Sequence, residues 1–106
     1  MARTLINLPE TARAGEIIEI KAMIAHPMET GHRLDAKGAT IPRNIINRFE
    51  CVYDGATVFA ADLYPAVSAN PFLSFTTIAT KSGAIRFTWT DDKGVVETPT
   101  AEMADT

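Results

Sequence analysis

Hydrophobic and polar residues alternate along several short stretches of this chain, which is the pattern of half-buried β-strands. The stretch GEIIEIKAMIA shows it clearly, with apolar positions on one face at Ile18, Ile20, Ala22 and Ile24. The opposite face carries Glu19, Lys21 and Met23. The pattern therefore predicts a strand with one face in a core and the other toward solvent.

Two later stretches repeat this alternation. In NIINRFECVYDG the predicted inward side carries Ile45, Phe49, Cys51 and Tyr53. In GAIRFTWTDDKG it carries Ile85, Phe87 and Trp89. The pair Asp54-Gly55 predicts a tight hairpin turn after the first stretch, because glycine tolerates the positive φ that such turns need. TDDKGV predicts a second turn.

Four further segments are short and β-prone: RTLINL, ATVFAADLY, FLSFTTIAT and VVET. Helix signals are nearly absent, so we expect an all-β, immunoglobulin-like β-sandwich of about seven strands, with a small barrel as the alternative. The Cys-Trp-Cys pattern of antibody domains is missing, so the likeness concerns architecture only. We expect one domain over residues 1–106, whose end, about 99–106 with AEMADT, is frayed.

Composition and charge exclude several classes of partner. The 106 residues are 46% hydrophobic and carry a net charge of −3, and the basic residues are scattered, which disfavours nucleic acid. The chain contains no run of 18 apolar residues, so the sequence does not predict a segment that spans a membrane. The start, MARTLINLPE, has no apolar core of a signal peptide, which by itself predicts a cytoplasmic protein.

Two connections are longer than a minimal sandwich needs, and they run from His26 to about Arg43 and from Tyr64 to Pro71. Prolines stiffen both, which lowers the entropy cost of docking. We therefore predict a protein-binding surface, and its candidate residues are His26, Pro27, Met28, Glu29, Leu63, Tyr64, Pro65 and Val67. The alternative is that both connections merely cover the ends of the sandwich.

Chemical sites are poorly supported by the residue pattern. His26, Glu29 and His32 lack a further strong ligand for a metal site. Cys51 lies mid-strand between Phe49 and Tyr53, where cysteines usually behave as small buried hydrophobes. Asp91 and Asp92 are interpreted as turn residues. We thus expect no catalytic residues, metal or cofactor; the alternative is a stand-alone metal- or thiol-dependent enzyme that uses His26, His32 and Cys51.

Four runs carry a resemblance to a known family: IKAMIAHPMETGHR, IPRNIINRFECVYDG, VFAADLYPAVSANPF and FTWTDDKG. They resemble the SoxZ family, the small subunit of the SoxYZ carrier of bacterial sulfur oxidation, over about residues 15–98. The resemblance implies an immunoglobulin-like sandwich and a non-catalytic subunit that binds the SoxY subunit, as a heterodimer or higher assembly. It also implies that SoxY carries the sulfur intermediates on a cysteine of a flexible C-terminal arm, which this chain lacks.

The same resemblance implies transient binding of other sulfur-oxidation enzymes and a periplasmic location. The expected absence of a signal peptide conflicts with that location. The conflict is resolved if the chain folds onto SoxY and is exported with it, with SoxY supplying the signal.

Overall fold

The computed structural model describes residues 3–94 and 96–105, and nine β-strands occur within these ranges. The strands are β1 (Thr4–Asn7), β2 (Thr11–Ala12), β3 (Ile17–Ile24), β4 (Ile46–Tyr53), β5 (Ala56–Asp62), β6 (Phe72–Ile78), β7 (Gly83–Asp91), β8 (Val96–Glu97) and β9 (Thr100–Asp105). In this part of the chain, no helix has the length and apolar character needed to span a membrane.

The strands form two sheets, so the predicted all-β sandwich is confirmed. A three-stranded antiparallel sheet has the order β1-β3-β6. A six-stranded sheet has the order β2-β9-β7-β4-β5, with β8 also paired to β7. All seven stretches expected to be β-structure contain a strand, and β2 and β9 are additional.

The predicted inward faces of β3, β4 and β7 form the core. Ile20, Ala22 and Ile24 of β3 are fully buried, as the alternation requires. On the other sheet, Phe49 lies opposite Trp89 in the register of β4 with β7, and their ring centroids are 5.0 Å apart. Phe49 also reaches Phe75 of β6 across the two sheets, at 5.9 Å. Aromatic packing of this kind adds about 0.5–1.5 kcal/mol per pair beyond the area buried.

The predicted turn at Asp54-Gly55 joins β4 to β5. Asp54 has φ of 55° and Gly55 has φ of 73°, so both central residues are left-handed. This is the conformation of the two-residue turns that match the right-handed twist of adjacent strands.

The prediction of a frayed C-terminal end is wrong for the residues that the structure describes. Thr100–Asp105 form β9, which pairs with β7 and, in parallel, with β2. Met103 is 2% exposed and belongs to the core. Residues 101–105 of this strand, AEMAD, contain no β-branched or aromatic residue, so the strand depends on pairing with a distant segment rather than on local preference. Thr106 lies outside the described residues.

The connection from His26 to Arg43 is a narrow hairpin rather than an irregular loop. Glu29 and Asn44 exchange backbone hydrogen bonds of 2.9 and 2.8 Å at its base, and the Ile41 N–H donates to the Arg33 carbonyl at 2.8 Å. Residues 32–40 are all exposed, so the hairpin projects from the sandwich. It is called the β3–β4 hairpin below and comprises residues 29–44.

Candidate functional site

The two connections that were predicted to bind a partner lie side by side. The His26 N–H donates to Asn70 Oδ1 at 3.0 Å, and the Asn70 N–H donates back to the His26 carbonyl at 2.8 Å. Next to this pair, the Ile24 N–H donates to the Pro71 carbonyl at 3.3 Å. Segments separated by more than forty positions are thus fixed together at one end of the sandwich.

The expectation that Met28 is presented at the surface is wrong, because its side chain is 4% exposed and packs in the core. Its Sδ accepts the Ile46 N–H at 3.2 Å. Its backbone has φ of 51°, which is uncommon for a residue with a side chain. The Met28 N–H donates to His26 Nδ1 at 3.0 Å, and this bond supports the unusual conformation.

A sequence signal for this burial exists. The even-numbered residues of β3 are inward, and the same alternation continues through His26 and Met28, while Ala25 and Pro27 between them are exposed. The interpretation of these positions as a loop ended the pattern at Ile24, two inward positions too early.

His26 is also buried, at 7% exposure, although it was interpreted as a loop residue of the surface. Its Nδ1 accepts the Met28 N–H, and its Nε2 lies 3.6 Å from Asp91 Oδ2. Asp91 is buried at the end of β7, and its other oxygen accepts the Lys93 N–H of the predicted turn at 2.9 Å. The histidine therefore links the end of β3 to the end of β7.

Asp92, interpreted only as a turn residue, also fastens the base of the β3–β4 hairpin. Its carboxylate accepts bonds of 2.7 and 3.0 Å from the Arg43 guanidinium, 3.0 Å from Asn47 Nδ2 and 3.2 Å from the Ile45 N–H. The hydrogen bond from Arg43 lowers the pKa of Asp92 to about 2, with Asn47 and the Ile45 N–H acting in the same direction against the effect of burial. A carboxylate that accepts several donors is held in its charged form.

The exposed part of the predicted surface is smaller than expected. Of the eight candidates, Pro27 and Tyr64 are exposed, with Tyr64 at 65%. Those of intermediate exposure are Glu29, Pro65 and Val67, while Leu63 is buried. Glu29 is further engaged by an ion pair with Arg33. Both connections therefore cover the core in part, and of the eight candidates Pro27 and Tyr64 are the exposed ones.

A larger apolar surface lies next to this end, on the outer face of the three-stranded sheet. Leu5, Met23 and Phe72 face one another across β1, β3 and β6 in the register. They are called the apolar row here. Leu5 and Phe72 are 63% and 58% exposed, and a continuous row of exposed apolar side chains is less common than single exposed ones. A depression of about 300 Å³ opens along the row, and a second of about 370 Å³ continues to Ala25 and Asn70.

The predicted solvent side of β3 is confirmed, with Glu19 and Lys21 exposed and Met23 half-buried. What the sequence pattern did not reveal is the pairing of strands that brings Leu5 and Phe72 to both sides of Met23. Isolated exposed apolar residues are common, and only their alignment makes a surface.

The residues of the alternative enzyme hypothesis are placed in different environments. Cys51 is fully buried, as predicted, and burial raises the pKa of its thiol to about 12. His26 is buried and engaged at both ring nitrogens, whereas His32 is exposed. Within residues 3–94 and 96–105, no three His, Cys, Asp or Glu side chains converge as a metal site would require.

Comparison with protein families matches this chain to a known family. The family described as "Sulphur oxidation protein SoxZ" matches residues 6–102, which is nearly the whole chain. Among curated proteins, no sequence matches significantly.

Several solved structures share the fold. A superoxide reductase (neelaredoxin) from Ignicoccus hospitalis is 18% identical with a TM-score of 0.74, covering 97% of this chain and 79% of that chain. A putative superoxide reductase from Thermotoga maritima is 14% identical with a TM-score of 0.73, covering 97% of this chain and 85% of that chain. The sulfur carrier protein SoxY from Chlorobium limicola f. thiosulfatophilum is 13% identical with a TM-score of 0.67, covering 95% and 73%. At these identities, the likeness shows the fold alone.

Proposed function

The chain belongs to the SoxZ family and so to the Sox system of sulfur oxidation, and from this we propose that it is the subunit that binds a SoxY-like sulfur carrier. In this proposal the two chains form a SoxYZ carrier. The carrier presents sulfur intermediates, bound to a cysteine of the SoxY-like subunit, to the enzymes that oxidise thiosulfate. The present chain contributes a binding surface and no catalytic group.

The observation that carries the proposal is the apolar row of Leu5, Met23 and Phe72, with Tyr64 exposed in the connection that leads to Phe72. Large apolar and aromatic side chains in adjoining positions are typical of the centre of protein interfaces. The depressions along the row give a partner's side chains places to insert.

The accessible surface of the chain is larger than that of a compact monomer of its mass, which leaves area for a partner to cover. Its accessible surface is 6451 Å² for a mass of 11.5 kDa, whereas about 5,800 Å² is typical of a compact monomer of this mass. The excess of about 650 Å² is comparable with the roughly 800 Å² that each partner contributes to a standard interface.

The environment of Cys51 supports a role without covalent chemistry. The thiolate is the nucleophilic form, and a thiol with a pKa of about 12 is protonated at neutral pH. Cys51 is also inaccessible in the folded chain. A covalently bound sulfur intermediate would therefore be carried by the partner.

The proposal includes a location, the periplasm, which the chain reaches together with its partner. Cell fractionation tests this: the chain should be found in the periplasmic fraction when the SoxY-like subunit is produced, and in the cytoplasm when that subunit or its export signal is deleted. A chain that reaches the periplasm alone contradicts export with the partner.

The decisive experiment is a binding titration of the purified chain with the SoxY-like subunit of the same organism. Phe72→Ser and Tyr64→Ala should each weaken binding about tenfold or more if they are anchors. Leu34→Ser is the matched control, because Leu34 is 59% exposed but lies at the outer part of the β3–β4 hairpin. Thermal unfolding of all variants should stay close to that of the parent chain.

The same titration separates the proposal from a metal or thiol enzyme. Binding should be unchanged by a chelator and by a thiol-blocking reagent, because neither a metal nor the buried Cys51 takes part. If the unmodified chain fails to bind the SoxY-like subunit, the proposed function is wrong. If the Leu34 variant weakens binding as much as the Phe72 variant, the binding surface is misplaced.

A further inference from the structure

Strand β6 is an unprotected edge of the three-stranded sheet. It pairs with β3 on one side over seven consecutive residues without a register shift, and no strand within residues 3–94 and 96–105 pairs with its other side. Its sequence, FLSFTTI, contains no charged residue, glycine or proline. Natural proteins usually protect long regular edges with charges, prolines or bulges, because open edges recruit other strands.

The other sheet edges are protected or short. In β5, the register with β4 shifts between Cys51 and Val52, which leaves Val58 as the extra residue of a bulge. The same strand ends in an ion pair between Asp62 and Arg48. The edge strands β1 and β2 have four and two residues. An edge suited to strand pairing therefore occurs at β6.

The register shows which backbone groups of β6 are available. At the ends of the pairing, the Ile24 N–H donates to the Pro71 carbonyl and the Ala79 N–H donates to the Glu16 carbonyl. Antiparallel pairs alternate between hydrogen-bonded and non-hydrogen-bonded. Residues 73, 75 and 77 thus bond to β3, and the N–H and C=O groups of residues 72, 74, 76 and 78 point toward the open side.

The residues with outward backbone groups also carry the exposed side chains. Phe72, Ser74, Thr76 and Ile78 all lie on the outer face, and Phe72 and Ile78 are 58% and 56% exposed. Phe72 is also a member of the apolar row. Edge and outer face therefore form one continuous surface that offers backbone hydrogen bonds along the strand and apolar contacts at its ends.

We propose that the SoxY-like subunit adds a β-strand along β6, so that the three-stranded sheet continues into the partner. This inference rests on the proposed function and specifies how the partner is held. Main-chain hydrogen bonds give such strand addition its affinity, and the alternate side chains give it specificity. The SoxY structure from Chlorobium limicola has the same fold at a TM-score of 0.67, so a carrier of that kind is itself built of strands with sheet edges.

The net charge of the chain favours this occupant over a second copy of the chain. Pairing two copies would bring together two chains of net charge −3. A second copy is nevertheless an outcome that the test below detects.

The test uses two substitutions at the centre of the edge. Thr76→Pro removes an N–H that β3 does not use, and proline is tolerated on edge strands at such positions. Thr76→Lys adds a positive charge to the edge. Position 76 lies opposite Glu19 in the register, and a cross-strand pair of opposite charges there is compatible with the fold. The matched control is Ala60→Lys, which places a lysine opposite Glu50 on the exposed edge strand of the other sheet.

Binding to the SoxY-like subunit should fall tenfold or more for both Thr76 variants and stay within twofold for Ala60→Lys. Thermal unfolding midpoints should be close to that of the parent for all three, which excludes misfolding. If the parent binds and the Thr76 variants bind equally well, strand addition at β6 is wrong while the proposed function stands. If the parent does not bind at all, both are wrong.

Sedimentation of the chain alone completes the test. A parent chain that is a dimer by itself, and that Thr76→Lys converts to a monomer, would assign the edge to a second copy and overturn the proposal. A parent that is monomeric alone and binds the SoxY-like subunit through Thr76 supports it.

Discussion

At the scale of single residues, two methionines close in sequence occupy different environments, one in the core and one on the outer face of a sheet. Met28 is 4% exposed and contacts the Ile46 N–H through its sulfur, whereas Met23 is half-buried on the outer face in the apolar row. Both precede the β3–β4 hairpin, and composition does not distinguish them. Their opposite roles follow from the alternation of sides along an extended chain.

Met28→Ala should therefore destabilise the fold by about 2–5 kcal/mol, because it empties a core site. Met23→Ala is the matched substitution, and we expect it to cost clearly less stability while weakening binding of the SoxY-like subunit. Chemical denaturation of both variants measures this. Equal losses of stability would contradict the assignment of Met28 alone to the core.

Asp92 should make stability depend on acid pH. Its pKa is lowered to about 2 in the folded chain, chiefly by Arg43, against about 3.9 when unfolded. The stabilisation is complete above pH of about 4 and is lost as pH falls toward about 2. Asp92→Asn should therefore lower the free energy of unfolding by about 1–3 kcal/mol at neutral pH. The difference in this free energy between the variant and the parent should become smaller as the pH falls.

Urea unfolding at a series of pH values measures this narrowing. Asp62→Asn is the control, because Asp62 forms an exposed ion pair with Arg48 that should contribute little. A constant difference between the Asp92 variant and the parent down to pH of about 2 would show that the charge of Asp92 is not what stabilises the hairpin base.

At the scale of elements, the C-terminal strand shows how a weak local sequence becomes ordered. β9 lies between β2 and β7, with Met103 opposite Gly83 in the register and buried beside the core. Its stability derives from pairing and burial supplied by distant residues. The composition of AEMADT reveals neither the pairing nor the burial.

Met103→Ala should lower the free energy of unfolding by about 2–5 kcal/mol. Glu102→Ala on the same strand should change it by less than about 0.5 kcal/mol, because Glu102 is exposed. Thermal denaturation compares the two. If neither variant shifts the unfolding midpoint, the C-terminal segment is frayed after all.

At the scale of the whole molecule, the chain is long for its size. Its dimensions are 58 × 20 × 19 Å, whereas a strand of nine residues spans only about 30 Å. The Cα radius of gyration is 16.1 Å, against about 13 Å for a compact domain of this length. The elongated shape agrees with the exposed β3–β4 hairpin and with the excess surface.

Small-angle scattering of the isolated chain should give a radius of gyration near 16 Å. Deletion of the hairpin tip, residues 33–41, should reduce it while β-structure in circular dichroism is retained. A value near 13 Å for the parent would mean that the hairpin folds back onto the sandwich in solution.

Sequence alone was sufficient for the sandwich, for the inward faces of β3, β4 and β7, for the Asp54-Gly55 turn and for the burial of Cys51. These features follow from short-range regularities, since alternation and turn preference are properties of a few adjacent residues. The nearness of the two long connections also agrees with their joint assignment to one surface, although binding itself stays a prediction.

Only the tertiary structure decided which residues lie at the surface beyond the regular strands. Met28 and His26 are buried because His26 reaches Asp91 and Met28 reaches Ile46, and both contacts join distant segments. The alignment of Leu5 with Met23 and Phe72, and the open edge of β6, depend on the order of strands in a sheet. Strand order is set by packing of the whole chain, so no local pattern contains it.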